Sequence, residues 1–371
     1  MNRPKVLLLG EVKHAHETWA AIAQQADVIV PQSTDHAGFL AECRSGALDG
    51  VSAAYRTFSS TASTGPLDAE AVPLLPSSLK YICHNGAGYD SIDVAACTAR
   101  GIGVSHTPHA VDDATADLAI WLMLGSLRNL AVGLGSLRAG RWRGVDSEGK
   151  GNLPDKGHDP RGKTLGILGM GGIGRNMARK AALAFGMKII YHNRTRLPHE
   201  DELEAGQAKY VGFEELLRES DVLSLNLPLN VSHINTLSNR LLRSPILHEP
   251  NLTKPQQPST KHIISTPQLS QTKPGVVLVN TARGAVIDEA ALASFLAAGH
   301  VAAVGLDVYE NEPEIHPDLI ANPRALLVPH MGTWTVETER AMEEATMANV
   351  RSALAGTGLT SGVPEQRGLT L

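Results

Sequence analysis

Short apolar runs alternate with longer amphipathic stretches along most of the chain. The runs are KVLLLG, ADVIVP, GVSAAY and LKYICHNG in the first hundred residues, followed by TLGILGMG, KIIYHN, DVLSLNLP, VVLVNTARG, AAVGLDVY and ALLVPH. Leu-rich or β-branched runs separated by helix-length segments are typical of parallel strands joined by crossover helices. The pattern predicts an α/β protein whose two groups of strands form two domains, the second of which is larger.

Between the two groups lies the stretch DDATADLAIWLMLGSLRNLAVGLGSLRAG, which has helical character. Asp112 or Asp113 is suited to its N-terminus. From Leu118 to Leu127 it is apolar on nearly every side, so the sequence predicts a helix that is buried all round. Two interpretations remain: a core helix between the domains, or a contact with a second subunit, which we favour.

Charge and composition narrow the class of protein. The chain has 371 residues, of which 43% are hydrophobic and 19% charged. Its net charge of -5 argues against nucleic acid or an anionic membrane as the main partner, since both need a basic face. Apolar runs stay well below the roughly 18 residues of a membrane span, and the N-terminal run is too short for a signal peptide. Three cysteines (Cys43, Cys83 and Cys97) form no CxxC pair. We therefore expect a cytoplasmic protein without a metal site.

A glycine motif follows the first strand of the second group. Gly169, Gly171 and Gly174 form G-x-G-x-x-G between TLGILG and the helical stretch RNMARKAALAF. The glycines permit a tight turn and let backbone N–H groups approach a pyrophosphate at the start of the helix. A tight turn alone would also explain them, but the strand before and the strand KIIYHN behind favour a dinucleotide site.

The end of that second strand indicates which dinucleotide binds. An NAD-binding protein usually carries Asp or Glu there to hold the ribose 2′-hydroxyl, whereas this chain has Asn193 and Arg194. No acidic residue lies between Arg175 and His199, and a guanidinium can pair with two oxygens of a 2′-phosphate. The sequence predicts NADP, with NAD as the alternative if Arg194 is only a solvated turn residue.

Two further residues follow strands of the same domain. Arg283 ends VVLVNTARG, where an arginine at the carboxyl end of a parallel strand faces the ligand crevice and suits a carboxylate. His330 ends ALLVPH, and the acids Asp307, Glu310, Glu312 and Glu314 lie between the two. Alone, Arg283 could cap the next helix and His330 could be a core histidine. Their combination with an acid indicates acid–base chemistry on a carboxylate substrate.

The motifs NGAGYDSID, GMGGIG, NTARG, LDVYENEP and VPHMGT occur in the order and spacing of one family. From about residue 80 to about residue 350 the chain resembles the D-isomer-specific 2-hydroxyacid dehydrogenases, most closely the glyoxylate/hydroxypyruvate reductase or D-mandelate dehydrogenase-like branch. The resemblance implies two Rossmann-like doubly wound parallel-sheet domains with the active site in the cleft between them. Residues 1–107 plus 331–371 would bind substrate, and residues 108–330 would bind the dinucleotide.

The resemblance also implies residue roles. Arg283 would grip the substrate carboxylate and carbonyl, His330 would exchange the proton at the keto oxygen, and Glu312 would favour the imidazolium form of His330. Backbone N–H groups of the substrate-binding residues would cradle the carboxylate; these are Asn85, Gly86, Ala87 and Gly88. Asp307 would hold the nicotinamide carboxamide. The other expected cofactor contacts are Thr115, Gly169, Gly171, Gly172, Ile173, Gly174, Asn193, Arg194, Thr195, Pro228, Thr281, Ala282 and Gly332.

The implied function is an NADP-preferring dehydrogenase that reduces small 2-keto acids such as glyoxylate, hydroxypyruvate or an aromatic 2-keto acid. A homodimer is expected. The alternative of a different class is a dinucleotide-binding transcriptional co-regulator of the same fold, since one branch of the family binds protein partners. Intact Arg283, Glu312 and His330 favour the enzyme.

One segment does not fit the family pattern. Residues 231–257 are proline-rich at their end and have no sustained helical or strand period. Deleting them leaves LPLNPSTKHIIS, which reads as an uninterrupted member of the family. Valine codons begin with GT and a Gln codon can end in AG, so the segment is either a translated intron or a true surface insertion.

Overall fold

In the computed structural model of the protein, residues 3–142, 156–230 and 259–369 are described. The chain divides into unit 1, residues 1–114 and 333–371, and unit 2, residues 115–332. Unit 1 holds a five-stranded sheet and unit 2 a seven-stranded sheet, and the strand pairs described in both are parallel. The predicted α/β fold with two parallel sheets is therefore confirmed.

Unit 1 has the strand order β2-β1-β3-β4-β5. Its strands are β1 (Lys5–Leu9), β2 (Asp27–Ile29), β3 (Val51–Thr57), β4 (Tyr81–Asn85) and β5 (Gly103–Ser105). Its helices are α1 (His16–Gln25), α2 (His36–Ser45), α3 (Thr61–Thr64), α4 (Val94–Ala99) and, at the C-terminal end of the chain, α13 (Val336–Leu354). β3 lies at the centre of the sheet and six of its seven residues are buried.

A buried carboxylate attaches the C-terminal helix to the N-terminal part of unit 1. Glu343 on α13 is 3% exposed, and its carboxylate accepts the N–H groups of Lys13, His14 and Ala15 at 2.7, 2.9 and 2.7 Å. These residues form the loop after β1, so the loop and α13 are held together by charge-assisted hydrogen bonds. The two sequence segments of unit 1 thus form one body.

Unit 2 has the strand order β12-β11-β10-β9-β6-β7-β8. Its strands are β6 (Thr164–Leu168), β7 (Lys188–His192), β8 (Lys209–Tyr210), β9 (Val222–Leu225), β10 (Val276–Asn280), β11 (Val301–Leu306) and β12 (Ala325–Leu327). Its helices are α5 (Asp112–Leu127, beginning just before the unit), α6 (Leu130–Arg138), α7 (Gly172–Phe185), α8 (His199–Glu204), α9 (Phe213–Glu219), α10 (Thr266–Leu269), α11 (Glu289–Ala297) and α12 (Pro317–Ala321).

The strand order of unit 2 locates its ligand crevice. From β6 the chain proceeds through β7 and β8 in one direction, and then from β9 to β12 in the other. Ligands of open α/β sheets bind outside the carboxyl ends of the strands at such a reversal. The crevice therefore lies at the carboxyl ends of β6 and β9, where the glycine motif begins.

Helix α5 is largely buried within one copy of the chain, and the choice between a core helix and a subunit contact stays a prediction. Nine of its residues are buried, but the Trp121 side chain is 43% exposed. A helix packed on one body still presents an outward side, and here that side carries a large aromatic ring. No single helix in the described ranges is long and apolar enough to cross a membrane; α5 and α6 reach that length and hydropathy together, but with a 74° bend between them.

The apolar runs of the sequence all contain strands, but two strands were missed. β5 and β8 have three and two residues. β2 and β12 are equally short, with three residues each, but they lie within the apolar runs ADVIVP and ALLVPH, whereas β5 and β8 lie in no such run. Both are edge strands, at the ends of the two sheets.

The residues that flank the anomalous segment 231–257, Asn230 and Thr260, are hydrogen-bonded to each other. That segment lies outside the described residues, but its flanks are described. The Asn230 N–H donates to Thr260 Oγ1 at 2.7 Å, and the Thr260 N–H donates to the Asn230 carbonyl at 2.8 Å. Thr260 Oγ1 also donates to the Pro228 carbonyl at 2.7 Å. We call this pair of flanks the Asn230–Thr260 neck.

Removal of residues 231–257 should leave the fold of unit 2 intact. The deletion makes Asn230, Pro258, Ser259 and Thr260 consecutive, and the bond from the Thr260 N–H to the Asn230 carbonyl becomes the i to i+3 bond of a β-turn, with proline at its favoured second position. We expect the melting temperature, measured by differential scanning fluorimetry, to change by less than about 3 °C.

The matched control removes residues 231–259, which joins Asn230 directly to Thr260 and leaves no room for the turn. Its melting temperature should fall by about 3 °C or more, because two hydrogen bonds of the neck are lost. The proposed β-turn would be contradicted if the two deletion variants had equal melting temperatures, or if the variant that lacks residues 231–257 did not fold.

Candidate active site

The glycine motif forms an open cradle at the carboxyl end of β6. Gly169 has φ +97°, and a Cβ there would lie 2.8 Å from the backbone of Asn226. A Cβ on Gly174 would lie 2.6 Å from the Gly169 carbonyl oxygen, whereas a Cβ on Gly171 would meet nothing within 4 Å. Two glycines thus permit close packing, and the third faces open space beside the N-terminus of α7.

This cradle fits a dinucleotide. Helix α7 has 14 residues, begins with Gly172, Ile173 and Gly174, and has no side-chain cap at Gly171, so its first N–H groups suit an anion. Beside it, Asn226 Oδ1 and Thr281 Oγ1 are buried without a hydrogen-bond partner among the described residues. Buried polar atoms without partners are uncommon in proteins, and two at strand ends beside a glycine cradle are what a polar cofactor would satisfy.

Asn226 was not among the expected cofactor residues. It follows β9 and its Nδ2 donates to Ser224 Oγ at 3.1 Å, which directs the amide oxygen elsewhere. The sequence signal was only its position just after a strand, before Leu-Pro-Leu. Pro228, which was expected, contributes its carbonyl to the Asn230–Thr260 neck.

At the end of β7 the side chain of Asn193 binds the glycine loop. Its Oδ1 accepts the Met170 N–H at 2.6 Å, so the amide connects the carboxyl ends of β6 and β7. The next two residues, Arg194 and Thr195, are exposed. Arg194 forms no hydrogen bond or ion pair with any residue in the described ranges.

Three other basic residues of this interval, Arg175, Lys180 and Arg196, form ion pairs. Arg196 binds both carboxylate oxygens of Glu202 at 2.8 Å, and Arg175 lies 3.2 Å from Asp201. Lys180 pairs with Asp117 at 2.5 Å. Their acidic partners, Asp201, Asp117 and Glu202, lie outside residues 175–199, the interval without acids. The sequence alone therefore did not show that these cations are paired. Arg194 is the basic residue of this turn that remains available to an anion.

Glu202 binds two side chains that hold the turn after β7, Arg196 and Tyr191. The bonds from Arg196 and from the Tyr191 hydroxyl lower the pKa of the Glu202 carboxyl to about 2, although partial desolvation opposes them. Tyr191 Oη in turn accepts the Leu197 N–H at 2.9 Å. Arg196 therefore holds the turn that presents Arg194.

Arg283 is presented by a tight loop at the end of β10. Asn280 Nδ2 donates to the Arg283 carbonyl at 2.9 Å, and Asn280 Oδ1 accepts the Ala282 N–H at 3.0 Å. A Cβ on Gly284 would lie 1.8 Å from the Tyr309 carbonyl carbon, so only glycine fits there. These contacts fix the backbone on both sides of Arg283.

His330 and Glu312 form the expected pair. His330 Nδ1 lies 2.8 Å from Glu312 Oε2, and Glu312 Oε1 accepts the Tyr309 N–H at 3.0 Å. Burial alone would raise the pKa of the Glu312 carboxyl, but the bond and charge of His330, the Tyr309 N–H and the charge of Arg283 lower it below its usual value. An ionised Glu312 accepts from Nδ1–H, so Nε2 is the nitrogen of His330 whose protonation can change.

Asp307 positions this histidine. Its carboxylate, in a residue only 1% exposed, accepts the Met331 N–H at 2.5 Å and the Gly332 N–H at 2.9 Å. Its carbonyl accepts the His330 N–H at 2.9 Å, and His330 has φ +53°. Burial raises the pKa of the Asp307 carboxyl despite these N–H groups and the charge of His330. Thr115 Oγ1 donates to the Gly332 carbonyl at 3.2 Å, which brings Thr115 to the same corner.

The expected substrate-binding residues belong to unit 1: Asn85 is the last residue of β4, and Gly86, Ala87 and Gly88 follow it directly. The Asn85 Nδ2 donates to the Tyr55 hydroxyl at 3.0 Å. The Gly86 carbonyl accepts the Thr107 N–H at 3.0 Å. The Ala87 carbonyl accepts from His106 Nδ1 at 2.9 Å, and the Gly88 carbonyl accepts from His84 Nε2 at 3.0 Å. Arg283, Glu312 and His330 lie together in unit 2.

Comparison with known proteins agrees with this geometry. Residues 120–244 and 251–332 match the family model described as D-isomer specific 2-hydroxyacid dehydrogenase, NAD binding domain. The 4-methyl-2-oxopentanoate reductase A of Aspergillus oryzae is 48% identical over 364 residues, which cover 98% of this chain and 99% of that protein.

Solved structures show the same similarity. A glyoxylate reductase from Paecilomyes thermophila has a TM-score of 0.85 and 50% identity, covering 99% of this chain and all of that one. An NADPH-dependent glyoxylate/hydroxypyruvate reductase from Sinorhizobium meliloti, in complex with NADP and malonate, has a TM-score of 0.76 and 28% identity, covering 98% of each chain.

Substitution of Arg194 and of Arg196, the two arginines of the turn after β7, should affect the melting temperature differently. Arg196→Ala removes a bidentate pair with Glu202 and should lower the melting temperature of the ligand-free protein by about 2–4 °C at pH 7. Arg194→Ala removes no contact within the described fold and should leave it unchanged.

The effect of Arg196→Ala should also depend on pH. The folded pKa of Glu202 lies below its unfolded value, so the pair stabilises the protein above about pH 4.3 and loses its effect as pH falls towards 2. The gap in melting temperature between wild type and Arg196→Ala should therefore narrow across that interval. A gap that stays constant with pH would refute the ion pair as its cause.

Proposed function

The chain belongs to the D-isomer-specific 2-hydroxyacid dehydrogenase family, and on this premise we propose that it is a reductase of small 2-keto acids that prefers NADPH. The observation that carries the proposal is the cluster of Arg283, Glu312 and His330 in unit 2, next to a glycine cradle for the dinucleotide. These groups supply an anchor for a carboxylate and a proton for a keto oxygen, which are the two requirements of the reaction.

The residues would act as follows. The guanidinium of Arg283 binds the substrate carboxylate and leaves the keto carbonyl beside it. When bound, the nicotinamide supplies a hydride to the keto carbon. His330 Nε2–H gives its proton to the keto oxygen, so the product is the 2-hydroxy acid, and the histidine regains a proton from water. Glu312 stabilises the positive charge that His330 carries before transfer and fixes its Nδ1–H tautomer.

The dinucleotide would be held by groups from several strand ends. The N–H groups of Gly172, Ile173 and Gly174 suit the pyrophosphate, and Asn226 and Thr281 offer buried polar atoms. Gly332, Thr115 and Asp307 form one corner with the backbone after His330. Because the carboxylate of Asp307 is already bound to two N–H groups, we assign it to positioning His330 and its loop, in addition to the carboxamide contact that the family implies.

Arg194 supports NADP as the preferred cofactor. It is exposed at the end of β7 and has no ion-pair partner within the described part of the chain, while Arg175 and Arg196 are both paired. The position usually taken by an acid holds Asn193, whose side-chain Oδ1 accepts the Met170 N–H. A 2′-phosphate at this place would meet a guanidinium and no carboxylate.

The names of the relatives indicate the substrate class. One is a 4-methyl-2-oxopentanoate reductase and one a glyoxylate reductase, so a panel that spans both sizes is required. We propose glyoxylate and hydroxypyruvate as small substrates and include branched and aromatic 2-keto acids in the panel.

We also propose a homodimer in the cytoplasm. The α6 residues Leu130, Leu134 and Leu137 recur at i, i+4 and i+7, and are 42%, 44% and 57% exposed. With the exposed Trp121 of α5 they offer an apolar surface that a second copy would cover. The three cysteines are buried free thiols, as suits a reducing compartment.

Cofactor choice is tested by a reduction assay with glyoxylate, 4-methyl-2-oxopentanoate and phenylglyoxylate, each run with NADPH and with NADH. The unmodified chain should show a strong NADPH preference. Arg194→Ala should raise the KM for NADPH by about 10- to 100-fold, through loss of a charge-assisted pair, and change that for NADH by less than about twofold. An equal effect on both cofactors would eliminate the 2′-phosphate contact.

The role of His330 is tested by His330→Ala. Loss of the proton donor should lower kcat by about 10²- to 10⁴-fold, while the NADPH dissociation constant, measured by fluorescence titration, should stay within about twofold. His199→Ala, which changes a histidine with an 80% exposed side chain, is the matched control and should keep wild-type kcat. Retained turnover in His330→Ala would remove this histidine from the proton transfer.

A further inference from the structure

A buried arginine of unit 1 is not accounted for by the chemistry described above. Arg56 is the last residue but one of β3 and is 0% exposed. No carboxylate in the described ranges lies within ion-pair distance of it, and its Nε has no hydrogen-bond partner there. Burial lowers the pKa of Arg56 to about 10, against the opposing charge of Asp90. An unpaired guanidinium in a core costs stability, so its contacts need a separate explanation.

Arg56 donates to three elements around the substrate-binding loop. Its Nη1 donates to His84 Nδ1 at 3.2 Å and to Ser91 Oγ at 3.1 Å, and its Nη2 donates to Thr61 Oγ1 at 2.9 Å. The contact with His84 follows from the sheet register, because Arg56 and His84 are direct partners on β3 and β4. Ser91 lies just beyond the loop of residues 86–88.

The contact with Arg56 fixes the tautomer of His84. A guanidinium has only donors, so His84 Nδ1 must accept, and the ring proton is on Nε2. That N–H donates to the Gly88 carbonyl at 3.0 Å. The ring lies directly beneath the loop, since a Cβ on Gly86 would be 2.6 Å from His84 Nε2. Arg56, His84 and the Gly88 carbonyl thus form one directed chain of hydrogen bonds.

His106 acts in the same way on the neighbouring peptide. Its Nδ1 lies 2.9 Å from the Ala87 carbonyl, which can only accept, so Nδ1 carries the proton. Burial lowers the pKa of His106, although the bond to Ala87 opposes this. The Thr107 N–H donates to the Gly86 carbonyl at 3.0 Å. Three successive carbonyls are therefore held by three donors.

The held carbonyls determine where the N–H groups of the loop point. In a trans peptide the N–H is opposite to the carbonyl of the same unit, so the carbonyls of Gly86, Ala87 and Gly88 direct the N–H groups of Ala87, Gly88 and Tyr89 away from these donors. Among the described residues no hydrogen bond involves the N–H groups of Ala87 and Gly88. Oriented N–H groups of this kind bind anions.

We propose that Arg56, His84 and His106 are positioning residues that hold the loop of residues 86–88 with its N–H groups turned towards the substrate carboxylate. The buried charge of Arg56 adds positive potential behind those N–H groups, which favours an anion in front of them. This inference rests on the proposed function, because the anion is the carboxylate of the 2-keto acid.

The test compares His84→Asn with His84→Gln. The Oδ1 of Asn lies at the position of Nδ1, so His84→Asn keeps an acceptor for Arg56 and loses the donor to Gly88. The amide of Gln reaches as far as Nε2, so His84→Gln keeps a donor for the Gly88 carbonyl. Melting temperature and the NADPH dissociation constant serve as checks that both variants fold.

With His84→Asn the KM for glyoxylate should rise about tenfold, because the loss of one positioning bond weakens carboxylate binding, while kcat changes by less than about threefold. The inhibition constant of oxamate, an unreactive analogue of a 2-keto acid, should rise by the same factor. His84→Gln should restore most of both values. Arg56→Met should raise both values as well, since His84 then loses the donor that fixes its tautomer.

An unchanged KM and oxamate constant in His84→Asn, or equal losses in His84→Asn and His84→Gln, would overturn the inference and leave the proposed function standing. A loss confined to kcat would also overturn it, because a positioning residue for the carboxylate must affect binding. If the unmodified chain binds NADPH but reduces no 2-keto acid of the panel, the proposed function fails and this inference fails with it.

Discussion

The candidate site of unit 2 depends on one buried carboxylate. Asp307 stands at the end of β11, and its two oxygens and its carbonyl bind the N–H groups of three successive residues, His330 to Gly332. This fixes the backbone after β12 in a conformation that an L-residue seldom adopts, with His330 at φ +53°. From that backbone position the imidazole Nδ1 lies 2.8 Å from Glu312 Oε2. Burial of the Asp307 carboxylate is energetically unfavourable, and its effect in the fold is to orient the His330 side chain.

In the proposed function both units would bind anions at the carboxyl ends of parallel strands, but by different means. Unit 2 would use charged side chains, Arg283 and Arg194, on loops that are fixed by backbone contacts. Unit 1 would use the backbone itself, and its charged residue, Arg56, lies in the core. A guanidinium tolerates either position because it remains protonated when buried, whereas a lysine in the place of Arg56 would lose its proton readily.

The fold class with its two parallel sheets was predicted correctly from the sequence, because it depends on local apolar runs separated by helix-length segments. The site residues stay predictions from local motifs: a glycine turn, and an arginine and a histidine at strand ends. The sequence singled out Arg194 by its place directly after a strand, but it could not show that Arg196 is paired, since the partner of Arg196 is Glu202 in the next helix and the contact needs the turn to be folded. The sequence left two interpretations of α5 open, because an apolar helix does not reveal which of its sides lacks a neighbour within one copy of the chain. The relation of Arg56 to His84 depends on the register of two strands 28 residues apart, which no local pattern encodes.

The Asn230–Thr260 neck has a consequence for engineering. Its two chain ends are held together by hydrogen bonds that involve only the flanks, and the entropy of closing a loop grows slowly with the length of what lies between them. This position is therefore suited to insertion: a fluorescent or affinity module whose two termini lie close together can replace residues 231–257. Because the entering flank continues from β9, such a module would lie at the carboxyl edge of the seven-stranded sheet, which is the edge where the dinucleotide is proposed to bind.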